Sequence, residues 1–252
     1  MAVKVQVEGL TLVRGGRPIL SDVTFQWNPG DTTILIGPNG AGKTSLLRCM
    51  IGMHADYRGR IHFDGRDLRS FTPRQRARMI GYVPQVLDTD FNVDVKSFMA
   101  SARYAHSGNR HSAIIKESLA LTETTHLPDA FLDELSGGER SRVMIAAALA
   151  QEPKVLLLDE PNAHLDPKHT ADLVRLLSRL HGQNMNLVVV AHDWNPFLAL
   201  RPQVLALSRG ELFHSGNWET TVNLLPELYG CAFTEWHASD QSRSYPTFEI
   251  DS

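Results

Sequence analysis

Polar and apolar residues alternate with a period of two near the N-terminus. "VKVQVEG" alternates, "GG" at 15 and 16 makes a turn, and "ILSDVTFQW" alternates again, which predicts short half-buried strands. The period then changes. "TTILIG" is almost wholly apolar, the pattern of a strand covered on both faces. It runs through a glycine-rich turn into "KTSLLRCMIGM", whose apolar residues recur at helical spacing. "GRIHFDG" and "MIGYVPQ" predict two more strands. Residues 93 to 127 interrupt the strands with mainly helical patterning, in "VKSFMASARYA" and "HSAIIKESLALTETTHL". After Leu135 strand and helix alternate again. A helix follows "SGG", then come the strand "KVLLLD", the helix "HTADLVRLLSRLHG", the strand "NLVVVAHD", a short helix near 195 to 200, and "VLALSRG" with "ELFHSG". Apolar strands separated by helices predict a parallel core sheet. Beyond residue 220, "LLPELYG" reads as a helix ending at Gly230 and "YPTFEI" as a closing strand.

Composition narrows the class. The chain has 252 residues, 42% of them hydrophobic and 21% charged, with a formal net charge of -3. That length and apolar content support a sizeable core. The near-neutral balance gives no support to a nucleic-acid partner. Cys49 and Cys231 are far apart and form no metal-ligand or CxxC spacing, so no disulfide framework is expected and a reducing compartment is the default. The longest apolar runs fall well short of the roughly 18 residues of a membrane span, and the alternating N-terminus lacks the apolar stretch of a signal peptide. If the protein works at a membrane, a partner must supply the spanning part. The eleven histidines are scattered and do not read as a metal store.

The candidate chemistry begins at "GPNGAGKT", Gly37, Pro38, Asn39, Gly40, Ala41, Gly42, Lys43 and Thr44, followed by Ser45. It fits G-x-x-x-x-G-K-[ST] in full, with a strand before it and a helix after it. Glycines let the backbone turn its N–H groups toward an anion, and the helix N-terminus adds its dipole. Lys43 reaches β- and γ-phosphates in such a loop, and Thr44 places its hydroxyl on Mg²⁺. "KVLLLDEP" supplies carboxylates where ligands bind in open α/β sheets, at the C-terminal end of a strand. Asp159 is placed to hold Mg²⁺ directly or through water, and Glu160 is the natural base for attack on a γ-phosphate. His192 and Gln85 end two further strands, in "VVVAHD" and "GYVPQ". The histidine is poised for the γ-phosphate, and the neutral glutamine amide for Mg²⁺ or the attacking water.

"GPNGAGKT", "YVPQ", "LSGGE", "VLLLDEP", "AHLD" and "VVAHD" occur in this order. Together they resemble the ATP-binding subunit of an ABC transporter, over about residues 3 to 216. The resemblance implies an α/β fold: a P-loop NTPase core with a mainly parallel sheet, an N-terminal antiparallel β subdomain and an inserted helical subdomain at about 90–140. The nucleotide-binding domain would occupy 1–219, with 220–252 a short C-terminal extension packed on it. ATP and Mg²⁺ are the implied cofactors, with Thr44, Gln85 and Asp159 around the metal. Glu160, His192, Gln85 and Lys43 are the implied catalytic set. Ala163, His164, Leu165 and Asp166 would form the loop that crosses a dimer interface. Ser136, Gly137, Gly138 and Glu139 would hold the ATP of a second copy in a head-to-tail sandwich.

Two positions depart from the family pattern. Glu139 stands where glutamine is commonest, although the serine and glycine donors remain. Where the family usually has an aromatic residue to stack on adenine, "LTLVRGG" offers Val13 and Arg14, and the guanidinium plane of Arg14 is the candidate substitute. The overall layout is similar to importers of iron–siderophore, haem or cobalamin type and to relatives that take up metal ions. It implies two transmembrane permease subunits, an extracytoplasmic substrate-binding protein and a peripheral place on the cytoplasmic face of the inner membrane. An exporter subunit would share every catalytic residue and stays open as an alternative. A soluble ATPase acting on DNA or ribosomes is a weaker one, because the chain has neither a long coiled-coil insertion nor a duplicated cassette. Ser136 is expected to cap its helix and offer its hydroxyl to phosphate, with Leu135 anchoring the turn.

Overall fold

A computed structural model describes residues 3–85, 93–163, 165–237 and 244–248, with backbone only for 233–237 and 244–248. Strands β1 (Val5–Arg14) and β2 (Arg17–Trp27) form an antiparallel hairpin, and β3 (Thr32–Ile36) leads into helix α1 (Lys43–Met50). Then follow β4 (Arg58–Phe63), β5 (Arg66–Asp67), α2 (Pro73–Met79) and β6 (Ile80–Val83). Helices α3 (Val95–Ala102), α4 (His111–Leu121) and α5 (Gly137–Ala150) precede β7 (Val155–Asp159), α6 (Pro167–Gly182) and β8 (Asn186–Val190). A 3₁₀ turn, Asn195–Leu200, β9 (Gln203–Ser208), β10 (Glu211–Asn217), α7 (Trp218–Thr221), α8 (Leu225–Tyr229), β11 (Phe233–His237) and β12 (Ser244–Phe248) complete the order.

The strands form an antiparallel sheet, β2-β1-β4-β5, and a six-stranded sheet, β10-β9-β3-β8-β7-β6, in which only β10 runs antiparallel to its neighbour. All five residues of β3, β7 and β8 are buried, as their continuous apolar runs require of strands covered on both faces. Successive side chains point to opposite faces. Leu35, Val155, Leu157, Val188 and Val190 therefore join β1, β2, β4 and α1 in one core layer. Ile34, Ile36, Leu156, Leu158, Leu187 and Val189 join α5, α6 and α8 in a second.

Helix α5 explains its own composition. Met144, Ile145, Ala148 and Leu149 face the second layer, whereas Val143, Ala146, Ala147 and Ala150 face a third cluster built from α3, α4 and Leu132. A helix buried on two sides cannot keep a polar stripe, so "VMIAAALA" is apolar all round. Leu135 packs against the third cluster, as expected. The segment Arg103–His106 is tied down by buried Arg103, which donates to Ala150 O and Glu152 Oε2, and by Arg78, which donates to Ala105 O.

"LLPELYG" does form a helix that stops at Gly230, which takes the left-handed conformation at φ 68. "YPTFEI" contributes β12, which pairs with β11 in a separate two-stranded sheet rather than closing either large one. Helix α2 was not anticipated. Its signal is local: Thr72 and Gln75 form a reciprocal capping box around Pro73.

Candidate nucleotide site

The parallel sheet brings four chain segments to one edge. Strands β3, β8, β7 and β6 are consecutive neighbours and run the same way. Their C-terminal ends therefore lie side by side, and each expected motif begins there. Gly37 follows β3, His192 follows β8, Asp159 and Glu160 close β7, and Gln85 follows β6. The register aligns them, with Asp159 opposite Val190 and Val83 opposite Leu158.

The loop from Gly37 to Gly42 is shaped by glycine. Gly37 has φ 143, and an added Cβ would sit 2.1 Å from Leu207 O. Gly42 has φ 99, and its Cβ would fall 2.7 Å from the Leu20 side chain and 3.0 Å from Ile19 O. No other residue fits either place without moving backbone. Pro38, Asn39, Gly40 and Ala41 line an open cleft beside this loop. Helix α1 starts directly from Gly42, with no side-chain cap and no acidic residue in its first turn. Its orphan N–H groups and positive dipole end are thus left for an anion.

Lys43 is buried and donates from Nζ to Gly37 O at 2.6 Å and Pro38 O at 3.0 Å. Burial lowers its pKa, and the charges of Glu160 and then Asp159 oppose that shift. Asp159 is 1% exposed. Thr44 donates to its Oδ1 and the hydroxyl of Tyr82 to its Oδ2, both at 3.3 Å. Burial raises the Asp159 pKa, because two neutral donors at that distance repay little of the lost hydration. A hydroxyl and a buried carboxylate that already meet make a donor set suited to a hard divalent cation such as Mg²⁺.

Glu160 stands at the centre. Its Oε1 lies 2.9 Å from His192 Nε2, and its Oε2 accepts from Gln85 Nε2 at 2.6 Å. Its backbone takes φ 53, uncommon for a residue with a Cβ, while its N–H is pinned to Val190 O at 3.0 Å. Its two contacts place the carboxylate between the loops that follow β8 and β6. Ser141 Oγ on Pro161 O and Asn162 Nδ2 on Asp193 O brace the loop that follows.

Ser136 caps α5. Its Oγ accepts from Glu139 N at 3.3 Å, and Glu139 Oε2 accepts from Ser136 N at 3.0 Å and from Ser136 Oγ at 2.5 Å. The departure to glutamate thus closes a charged capping box. Hydrogen bonds from the Ser136 hydroxyl and then its N–H hold the Glu139 pKa low. Asp166 caps α6, accepting from His169 N at 2.8 Å and pairing with His169 Nδ1 at 2.9 Å. The His169 ring then lies against Gly138, where an added Cβ would meet it at 3.2 Å. Ala163 N bonds Glu160 O at 3.0 Å, and Leu165 packs on the second core layer. His164 lies outside the described residues.

The expected residues therefore fall into separate groups. Thr44 meets Asp159, the adjacent Glu160 meets His192 and Gln85, and Lys43 lies within reach of the charge of both carboxylates. Ser136 to Glu139 form a second group, and among the described residues no hydrogen bond or ion pair joins them to 37–45. Arg14 belongs to neither: its guanidinium donates to His54 Nδ1 at 2.7 Å and pairs with Asp56 at 3.0 Å, beyond the C-terminus of α1. Three participants were not foreseen. Tyr82 touches Asp159, His169 touches Gly138, and Tyr229 accepts from Gly37 N at 3.1 Å. No sequence pattern announces these contacts, since each joins elements far apart in the chain.

A phosphate loop, a strand-end carboxylate pair and a capped Ser-Gly-Gly helix on one α/β scaffold define an ATP-binding cassette. Residues 20–163 match the ABC transporter family. The chain is 33% identical over 232 residues to the ferric enterobactin transport ATP-binding protein FepC of Escherichia coli strain K12, covering 88% of this chain and 86% of that protein. It is 37% identical over 234 residues to the hemin import ATP-binding protein HmuV of Pseudomonas putida strain KT2440, covering 89% and 92%. A solved ABC transporter described as of metal-chelate type, in an inward-facing conformation, superposes with a TM-score of 0.82 at 26% identity, covering 98% of this chain and 97% of that one. The protein belongs to the ABC transporter family, as one of its ATP-binding proteins. It is an ATPase by class, and among its described residues no helix is long and apolar enough to cross a membrane.

Proposed function

We propose that this chain powers import of an iron chelate, haem, cobalamin or a metal ion such as zinc, working as a pair of copies bound to two permease subunits on the cytoplasmic face of the inner membrane. An extracytoplasmic binding protein would deliver the cargo. The names of the relatives support the cargo class and the direction. The chemistry rests on one observation, the carboxylate of Glu160 held between His192 and Gln85 next to Asp159 and Thr44.

In this reading the loop amides and Lys43 bind the ATP phosphates. Thr44 and Asp159, with Gln85, would hold Mg²⁺, which would supply neutralisation of phosphate charge. Glu160 takes the proton of the attacking water, and His192 keeps that carboxylate oriented. Ser136, Gly137 and Gly138 serve the nucleotide of the other copy, and residues 163–166 cross between copies. The nucleotide-binding domain would span 1–219, with its helical subdomain at about 90–140 and an extension from 220.

The permease would dock in the groove lined by Gly52, Met53, Arg76, Tyr82, Tyr104 and Gln151. Met53 and Tyr104 are 65% and 58% exposed there, an apolar offer that a partner helix can cover. Tyr82 joins this groove to Asp159, which gives docking a path to the metal site. Reconstitution with a permease and binding protein in vesicles tests the reading. ATP-dependent accumulation of the cargo on the ATPase side of the vesicle membrane, opposite the binding protein, is the expected result. ATP-driven movement only in the opposite direction would make it an exporter.

A further inference from the structure

The segment after β10 carries no residue that hydrolysis requires, yet it enters the site. Gly37 follows the last ladder pair between β3 and β9, Ile36 with Ala206. Its N–H goes to the hydroxyl of Tyr229 at 3.1 Å, so a side chain terminates the ladder. Leu207 O packs on its other side, 2.1 Å from where a Cβ would stand, so only glycine fits there. Its carbonyl is held as well, by Lys43 Nζ at 2.6 Å. One residue therefore connects Tyr229 to the lysine that meets phosphate.

Tyr229 has a second contact. Its ring stacks on Trp194, with centroids 5.5 Å apart and planes at 29°. Trp194 is buried, lies two residues beyond His192, and is braced in turn by Trp218 at 6.2 Å. Helix α8 is a firm mount for the tyrosine, because Leu225 and Leu228 are sunk in the second core layer and Gly230 ends the helix. Burial pushes the phenol up to about 12, so it stays neutral across the physiological range.

We propose that Tyr229 is a positioning residue for the nucleotide site, holding the phosphate loop through the Gly37 amide and the His192 loop through Trp194. This rests on the ATP-hydrolysing reading above. Tyr229→Phe keeps the ring and removes only the hydroxyl, and it is tested in the full chain. Because the bond holds the nucleotide-free loop in its binding shape in this proposal, losing one net hydrogen bond there weakens ATP binding by up to about fivefold. The expected result is that loss in Kd by calorimetry and in KM, with kcat at saturating ATP within about twofold of wild type. Tyr229→Leu also removes the ring and should lower kcat in addition, through the His192 loop.

A residue that merely packs α8 would lower the melting temperature in both variants and leave Kd and KM alone. Tyr229→Phe with wild-type Kd and kcat/KM overturns the proposal whatever its melting temperature. Wild-type protein measured alongside keeps the two readings apart. No ATP binding or Mg²⁺-dependent hydrolysis by wild type removes the ATPase reading and this proposal with it. An active wild type matched by Tyr229→Phe removes this proposal alone.

Discussion

Replacing Glu160 by glutamine preserves the size of the side chain and removes its charge and basicity. The carboxylate now takes His192 on one oxygen and Gln85 on the other, at 2.9 and 2.6 Å. A glutamine can keep an acceptor toward one partner, and the amide of Gln85 can turn to accept from the new NH₂ group. The constellation therefore survives with its shape nearly intact. A positioned general base contributes about 10²- to 10⁴-fold to a rate, which is about 2.7–5.5 kcal/mol of barrier at 1.36 kcal/mol per tenfold. Glu160→Gln should lose that much in kcat. Its affinity for ATP should hold or tighten, since a negative charge near Lys43 is gone while the lysine's carbonyl contacts remain. Phosphate release at saturating Mg²⁺-ATP and calorimetric binding of ATP measure the two quantities separately. A folded variant with kcat within threefold of wild type would refute the assignment of the base. An equal loss in affinity and in kcat would show that Glu160 acts on the architecture of the site.

Three further outcomes follow from the geometry. Asp159→Asn should abolish Mg²⁺-dependent hydrolysis yet raise the melting temperature of nucleotide-free protein by roughly 2–4 °C, about 1 kcal/mol, because it removes a buried charge held by two 3.3 Å bonds; a lowered melting temperature would count against that account. Ser136→Arg, placed in the Glu160→Gln background, should bind ATP as a monomer and fail to dimerise in light scattering, and an intact ATP-driven dimer would argue against the shared site. Glu139 has a depressed pKa, so its stabilisation of α5 is present above the ordinary carboxylate range and is lost as pH falls through the lowered folded value. Glu139→Gln should therefore be less stable than wild type by about 0.5 kcal/mol near pH 7, a cap-sized effect discounted for exposure, and the gap should close in acid when unfolding is followed against pH.

Much of the fold was legible because the period of the apolar pattern carries it. The runs "TTILI", "VLLLD" and "NLVVV" were recognisable as central strands, since burial on both faces leaves no polar position. Lys43, Thr44, Asp159 and Glu160 were legible as well, because phosphate chemistry demands glycine turns and carboxylates at strand ends. The surroundings of Arg14 were not legible. A guanidinium is a sound stacking group in principle, but its direction depends on neighbours, and here His54 and Asp56 engage it. Helix α2 was missed because its capping box is short and polar, and its seven residues bury no side chain that would print a helical period.

The strands, the phosphate loop and the set of reactive groups follow from residues adjacent in the chain and from local backbone sterics. Which of those groups meet depends on the folded core. Placing β3, β8, β7 and β6 side by side puts Gln85 and His192 on the two oxygens of Glu160, across separations of 75 and 32 residues that no local pattern encodes. The core also decides that Tyr229, far along the chain, holds the first glycine of the loop. Such contacts arise when buried apolar faces fix how sheets and helices stack, and that packing is a property of the whole core.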